Sequence, residues 1–202
     1  MSIDATTACL TIAKARQGAI LVGTMTAHHV FDDHQVPHPR LDSVPLMGGA
    51  PSLGLGLAIA CPQQKVIVVD GDASLLMQLG GLATVVDQAP ENFYHFLLHN
   101  GTQFSPVCDL PIPARKTIDF AGVAHSVGYR HVHRFDDAAA FAEAIEGILA
   151  SEGPVFVELQ IDPGKPVHGV TLMFEIPDTQ YKKMGRQMRA VSQWIRERAG
   201  SD

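Results

Sequence analysis

Two short turns, Asp70-Gly71-Asp72-Ala73-Ser74 and Asn100-Gly101-Thr102, carry the residue types with the clearest chemistry in the chain. Asp72 offers a carboxylate, Asn100 an amide oxygen, and Thr102 a backbone carbonyl just past the Gly101 bend. Oxygen donors of this kind suit a hard divalent cation such as Mg2+, which prefers octahedral oxygen coordination and usually keeps phosphate oxygens and water among its ligands. A diphosphate and one water would complete the shell. Gly71 lets the chain approach closely, and Ala73 and Ser74 place N–H groups and a hydroxyl at a helix start facing negative charge. Either turn alone reads as an ordinary loop. The pair, 28 residues apart and each following an apolar run, is specific.

Three elements must position that pair. Val66–Val69 reads as a buried strand, Ala73–Ala89 as a helix with an apolar face at Leu75, Leu76, Leu79, Leu82, Val85 and Val86, and Phe93–Leu98 as the next strand. A helix between two strands makes them parallel neighbours, which puts the two turns side by side. Around this unit the same alternation continues. Residues 4–17 suit a helix, Ala19–Val22 a strand, and Leu46–Ala60 a helix rich in small residues. Residues 117–127 read as a helix stopped by Gly128, Tyr129–Phe135 as a strand, Asp136–Ala150 as a helix capped by Asp136, and Pro154–Ile161 as the last strand. The expected fold is α/β, a doubly wound, mainly parallel sheet flanked by helices, in a single domain over residues 1–165. Residues 166–202 form a C-terminal extension, loop-like at first, with a basic helix over Met184–Arg198 that either docks a partner or packs on its own domain.

Gly23-Thr24-Met25-Thr26 follows the first strand and reads as an anion-binding turn. The segment after it holds His28, His29, His34 and His38, with Asp32 and Asp33. Pro37 and Pro39 rule out a helical His34/His38 metal pair. His28 and His29 follow a strand's C-terminal end, where open α/β sheets bind ligands, and so read as substrate-facing. The net charge of −6 argues against nucleic acid, no apolar run is long enough to span a membrane, and three scattered cysteines fit a reducing cytoplasm. No GxGxxG follows the first strand, which argues against a dinucleotide site.

The stretch 66–102 resembles the thiamine-diphosphate motif, which opens on GDG or a variant and closes near Asn-Asn or Asn-Gly. The resemblance runs through LMGGAPSLGLGLAIACPQQKVIVVDGDAS and covers residues 19–160, most strongly 45–104. Within that superfamily, DGDASLLMQLGGLAT followed by LLHNGTQFS is most similar to the phosphonopyruvate and sulfopyruvate decarboxylases, and to the beta subunit where that enzyme is split. The resemblance implies thiamine diphosphate and Mg2+ as cofactors, with Asp72, Asn100 and Thr102 as metal ligands. It also implies cofactor contacts from Gly23, Thr24, Met25, Thr26, Gly71, Ala73, Ser74 and Gln103, an apolar wedge at Met47, and a hydrogen bond from the aminopyrimidine to the Pro45 carbonyl.

Its further implication is a 2-oxo acid decarboxylase in two parts. The glutamate that activates the cofactor belongs to a pyrimidine-binding domain, for which this chain has no segment. A separate pyrimidine-domain subunit is therefore expected, in a hetero-oligomer such as a dimer of heterodimers. His28, His29 and His99 are the expected proton relays. Three positions depart from the pattern: Ala73 replaces a glycine, His99 replaces the first Asn, and Gly49 stands where phosphonopyruvate-type enzymes tend to carry His. Arg40 and Arg115 are the cations available for a substrate's second acidic group. A carboligase of the acetolactate synthase type and a non-catalytic regulatory subunit are the alternatives.

Overall fold

The computed structural model describes residues 2–44, 46–104, 110–164 and 177–199. Its centre is a six-stranded sheet of β1 (Ile20–Gly23), β2 (Arg40–Asp42), β3 (Val66–Gly71), β4 (Phe93–His99), β7 (His131–Phe135) and β8 (Val155–Gln160), in the order β2-β1-β3-β4-β8-β7. Every neighbouring pair is parallel. A separate antiparallel pair, β5 (Thr102–Gln103) and β6 (Leu110–Pro111), lies beyond β4.

Helices cover both faces. On one, α1 (Ala5–Ala15), α2 (Thr26–Asp33) and α7 (Ala138–Ala150) pack Ile12, Phe31 and Phe141 onto Ile67, Val69 and Phe96. On the other, α3 (Ala50–Ala60), α5 (Gly81–Gln88) and α6 (Phe120–Val127) pack Leu57, Leu82 and Phe120 onto Val66, Val68 and Phe156. Successive residues of β3 therefore enter opposite cores, which is why this strand reads as an unbroken apolar run. The small residues of α3 let it approach closely: a Cβ on Gly54 would stand 2.3 Å from Val68 Cγ2.

Several elements differ from the expectation in instructive ways. The helix expected over 73–89 is two helices, α4 (Asp72–Met77) and α5, separated at 78–80 where the Gly80-Gly81 pair offers little helical preference. The cap of α7 is Asp137, which accepts from the N–H groups of Ala139 and Ala140 at 3.0 Å, rather than Asp136. Between β1 and α3 the structure adds two elements, α2 with buried Ala27, His28, Val30 and Phe31, and then the edge strand β2. The C-terminal helix begins earlier than expected, as α8 (Pro177–Ala199). Val191 of α8 is buried in the second core, with Met184, Trp194 and Ile195 packed against it, so the helix lies on its own domain and covers β2. No helix among the described residues is long and apolar enough to cross a membrane.

Candidate functional site

The chain leaves β1 toward β2 on one side of the sheet and returns through β3 on the other. The loops after β1 and β3 therefore diverge and leave a crevice at their C-terminal ends, the usual ligand position in an open parallel sheet. Here the crevice is lined by Met25 and Thr26 after β1, Met47 before α3, Gly71–Ser74 after β3, Leu98 of β4, and Asn100 with Thr102–Phe104 beyond it. Thus Met25, Thr26, Met47, Gly71, Asp72, Ala73, Ser74, Asn100, Thr102 and Gln103 come together. Pro45 lies outside the described residues.

Asp72 is the centre of the arrangement. It is buried, its Oδ1 accepts from Ala73 N at 2.7 Å, and its Oδ2 accepts from Gly101 N at 2.6 Å. The second bond ties the β3 turn directly to the β4 turn. Gly101 sits at φ +71°, a conformation that a side chain would strain. Asn100 Oδ1 accepts from Thr102 N at 2.8 Å and from Thr102 Oγ1 at 3.1 Å, which fixes the amide oxygen at the mouth of the same loop. Thr102 pairs with Pro111 in the short β5–β6 ladder. Burial pushes the Asp72 carboxyl up, against the pull of the Gly101 and Ala73 N–H groups. A buried carboxylate whose charge is under-compensated, an amide oxygen and a loop carbonyl form an all-oxygen set that fits a hard divalent cation.

The remaining groups have supporting places. Ser74 is buried, and its hydroxyl accepts from Gly48 N at 2.8 Å, so it ties the loop before α3 to the β3 turn. Met25 has φ +46°, a strained conformation for a non-glycine residue at the crevice wall. Gly23 and Thr24 lie behind the crevice rather than in its lining. A Cβ on Gly23 would stand 3.1 Å from the Phe31 ring, and Thr24 Oγ1 donates to the Ser43 carbonyl at 3.0 Å.

The three histidines separate. His99, at the end of β4, has Nδ1 2.7 Å from Glu158 Oε1 and Nε2 3.9 Å from Asp72 Oδ2. It stands between Glu158 and Asp72. Burial works against the Glu158 charge, yet the His99 contact, Arg134 and the Ala121 N–H hold its carboxyl below the usual range. His28 is not among the residues that line the crevice. It is buried beside Asp42 (3.3 Å) and within 3.2 Å of Lys183 Nζ on α8. Its ring lies 4.8 Å from that of His29, which is likewise absent from the crevice lining. His28, Asp32 and Asp42 bring three ligand atoms within 4.8 Å of one another, but Arg40 and Lys183 already contact both carboxylates. Side-chain cations fill the role that a metal would have there.

Comparison with known proteins agrees with this geometry. Residues 22–159 match the family model for the thiamine pyrophosphate enzyme, C-terminal TPP binding domain. A phosphonopyruvate decarboxylase from Streptomyces hygroscopicus is 42% identical over 118 residues, covering 58% of this chain and 29% of that protein. The sulfopyruvate decarboxylase subunit beta of Methanothermobacter thermautotrophicus is 41% identical over 118 residues, covering 58% of this chain and 60% of the subunit. The matched segment is thus under a third of the first relative and under two thirds of the second. In fold, the chain superposes on a thiamine diphosphate-dependent 4-hydroxybenzoylformate decarboxylase of Rhodococcus jostii with a TM-score of 0.64 at 20% identity, covering 80% of this chain and 33% of that one. A parallel sheet with an oxygen-donor turn pair at its crevice, and a family match across that whole unit, place this chain in the thiamine pyrophosphate enzyme family, as its C-terminal TPP-binding domain.

Proposed function

We propose that this chain is the diphosphate-binding subunit of a thiamine diphosphate- and Mg2+-dependent 2-oxo acid decarboxylase that works with a separate pyrimidine-domain subunit. The observation that supports the reading is the Asp72–Gly101 bond beside a crevice lined by Asp72, Asn100 and Thr102. These three would hold the cation, and the cation would hold the diphosphate. Met25, Thr26 and Met47 would line the cofactor. When bound, thiamine diphosphate supplies the electron sink for loss of CO2 from a 2-oxo acid. His99, backed by Glu158, would keep the Asp72 carboxylate turned toward the cation.

Two features support the remaining parts of the reading. Leu46, Met77 and Phe104 are 46%, 55% and 51% exposed, and all three belong to segments that form the crevice or border it. Such apolar groups at a site mouth suit burial by another domain. Arg40 is committed to Asp32 and Asp42. Arg115 instead runs over the cation loop, where a Cβ on Gly101 would meet its Nε at 2.9 Å. This makes Arg115 the available cation for a sulfonate or phosphonate group on the substrate.

The test is CO2 release from sulfopyruvate, phosphonopyruvate and pyruvate by the chain mixed with a pyrimidine-domain subunit. Release by the pair only is expected, with Arg115→Ala raising KM for the dianionic substrates about tenfold and leaving pyruvate unchanged. Release by the chain alone would overturn the two-subunit reading. Condensation products in place of aldehyde would make it a carboligase. Cofactor binding by the pair without turnover of any 2-oxo acid would make it a regulatory subunit.

A further inference from the structure

Beneath the Gly71–Asp72 turn lie four buried polar atoms without a hydrogen-bond partner: Asp70 Oδ2, both ring nitrogens of His95 and the Tyr129 hydroxyl. Asp70 and His95 are 0% exposed and Tyr129 is 4% exposed. Native proteins rarely leave such groups unpaired, so four in one place call for an explanation.

The sheet brings them together. Val68 of β3 stands opposite His95 of β4, so Asp70, two residues further along β3, lies on the His95 face of the sheet. Asp70 Oδ2 is 3.7 Å from His95 Nε2. The rings of His95 and Tyr129 both set an edge against Phe156, with centroids 5.1 and 5.5 Å away. Burial pushes the Tyr129 phenol up, and the nearby Asp70 charge pushes it further. The other carboxylate oxygen, Asp70 Oδ1, accepts from Gly71 N at 2.9 Å.

Asp70 Oδ2 can then serve both neighbours, which pairs three of the four atoms and leaves His95 Nδ1 over. A neutral imidazole has one N–H, the phenol has one O–H, and Oδ2 has room for two donors. We infer that His95 Nε2–H and the Tyr129 hydroxyl both donate to Asp70 Oδ2, and that His95 and Tyr129 are positioning residues for the turn that presents Asp72. The lock pins the Asp70 carboxylate, its Oδ1 pins the Gly71 N–H, and Gly71 sets the direction in which Asp72 leaves β3. The lock itself needs no cofactor. Its consequence for the cation rests on the function proposed above.

Two measurements on the full chain separate these claims. Amide exchange at Gly71, read by NMR, tests the lock. His95→Leu and Tyr129→Phe should each speed it about tenfold, and His95→Gln, which keeps a donor, should restore most of the protection. Mn2+ titration in the presence of thiamine diphosphate, read by electron paramagnetic resonance, tests the consequence. The same two variants should weaken it roughly tenfold, as loss of an outer-shell partner does at metal sites. Unchanged exchange and affinity in His95→Leu, with only a lower melting temperature, would make His95 a packing residue and overturn the inference. Failure of the native chain to bind Mn2+, both alone and with its partner subunit, while Gly71 still responds would remove the cation reading and leave the lock standing. If the variants do not fold, the native chain decides: a His95 proton on Nδ1 rather than on Nε2 overturns the lock.

Discussion

Asp72 makes the strongest demands of any residue in the molecule. It is a buried carboxylate that receives backbone N–H bonds from Ala73 and Gly101, and burial still pushes its carboxyl up. A divalent cation would offset that cost. Asp72→Asn keeps the shape and removes the charge, so it should weaken Mg2+ affinity by more than about a hundredfold, exceeding the effect of losing an outer-shell group. Calorimetric titration of the variant with Mg2+ and thiamine diphosphate checks this. Asp42 shows the opposite balance. It is buried, but the His28 contact, the Arg40 charge and the Gln187 amide outweigh burial and hold its carboxyl well below the ordinary carboxylate range. Its contribution to stability is therefore complete above the unfolded value, about pH 4, and is lost as pH falls through the lower folded value. Urea midpoints measured between pH 6 and pH 2 should fall more steeply for the native chain than for Asp42→Asn. At this scale the sequence was informative about which oxygen-bearing residues meet, because Asp, Asn and Gly at strand ends have few other uses in combination. It was less informative about the surroundings of histidine. His28 follows a strand end as a ligand-binding residue would, yet its partners, Asp42 on β2 and Lys183 on α8, are distant in sequence. His95 and Tyr129 gave no signal at all, since nothing local shows that they converge beneath Asp70.

At the scale of elements, close packing decides where the crevice walls stand. Gly54 lets α3 sit against β3, and a methyl group there would be 2.3 Å from Val68 Cγ2 and 3.2 Å from Phe93 Cε2. Alanine gains about 1 kcal/mol in helix preference. Overpacking costs about 1–3 kcal/mol, and at such a contact the cost wins. Gly54→Ala should therefore lower stability by about 1–2 kcal/mol in chemical denaturation. The edge strand β2 is held differently. Gln187 of α8 accepts from Asp42 N at 2.9 Å and donates to Asp42 Oδ2 at 2.6 Å, so one side-chain amide partners the strand edge as a neighbouring strand would. Gln187→Ala leaves the Asp42 N–H and carboxylate short of partners in a buried place, and should cost roughly 1–3 kcal/mol. Gln187→Glu keeps the acceptor but adds a charge beside Asp42 and should cost more. The strands β1, β3, β4 and β8 were legible as apolar runs. β2 was not, because three residues between prolines carry no periodicity and their stabilising partner lies 145 residues away. The break between α4 and α5 was also hidden, since the apolar face continues in phase past Gly80 and Gly81.

The main sheet is parallel, and its loops at one end form the crevice. Its topology explains the location: the chain reverses direction across the sheet between β1 and β3, and the crevice opens at that point. The fold class was readable because alternating strand and helix segments admit few topologies. The order of β7 and β8 at the far edge was not, because nothing in an apolar strand states which neighbour it pairs. The apolar groups Leu46, Met77 and Phe104 are exposed, and the proposed partner subunit would cover them. Replacing Met77 and Phe104 together by serine should leave the chain's own melting temperature within a degree or so, since neither side chain is in the core, and should weaken association with the partner at least tenfold in analytical ultracentrifugation.

The central claim is that the crevice holds a diphosphate through a divalent cation on Asp72, Asn100 and Thr102. Calorimetric titration of thiamine diphosphate into the chain, alone and with its partner subunit, tests it most directly. Binding is expected that requires Mg2+, disappears with a chelator and is lost in Asp72→Ala. Absence of binding in both forms, or binding indifferent to the chelator and to Asp72, would contradict the account.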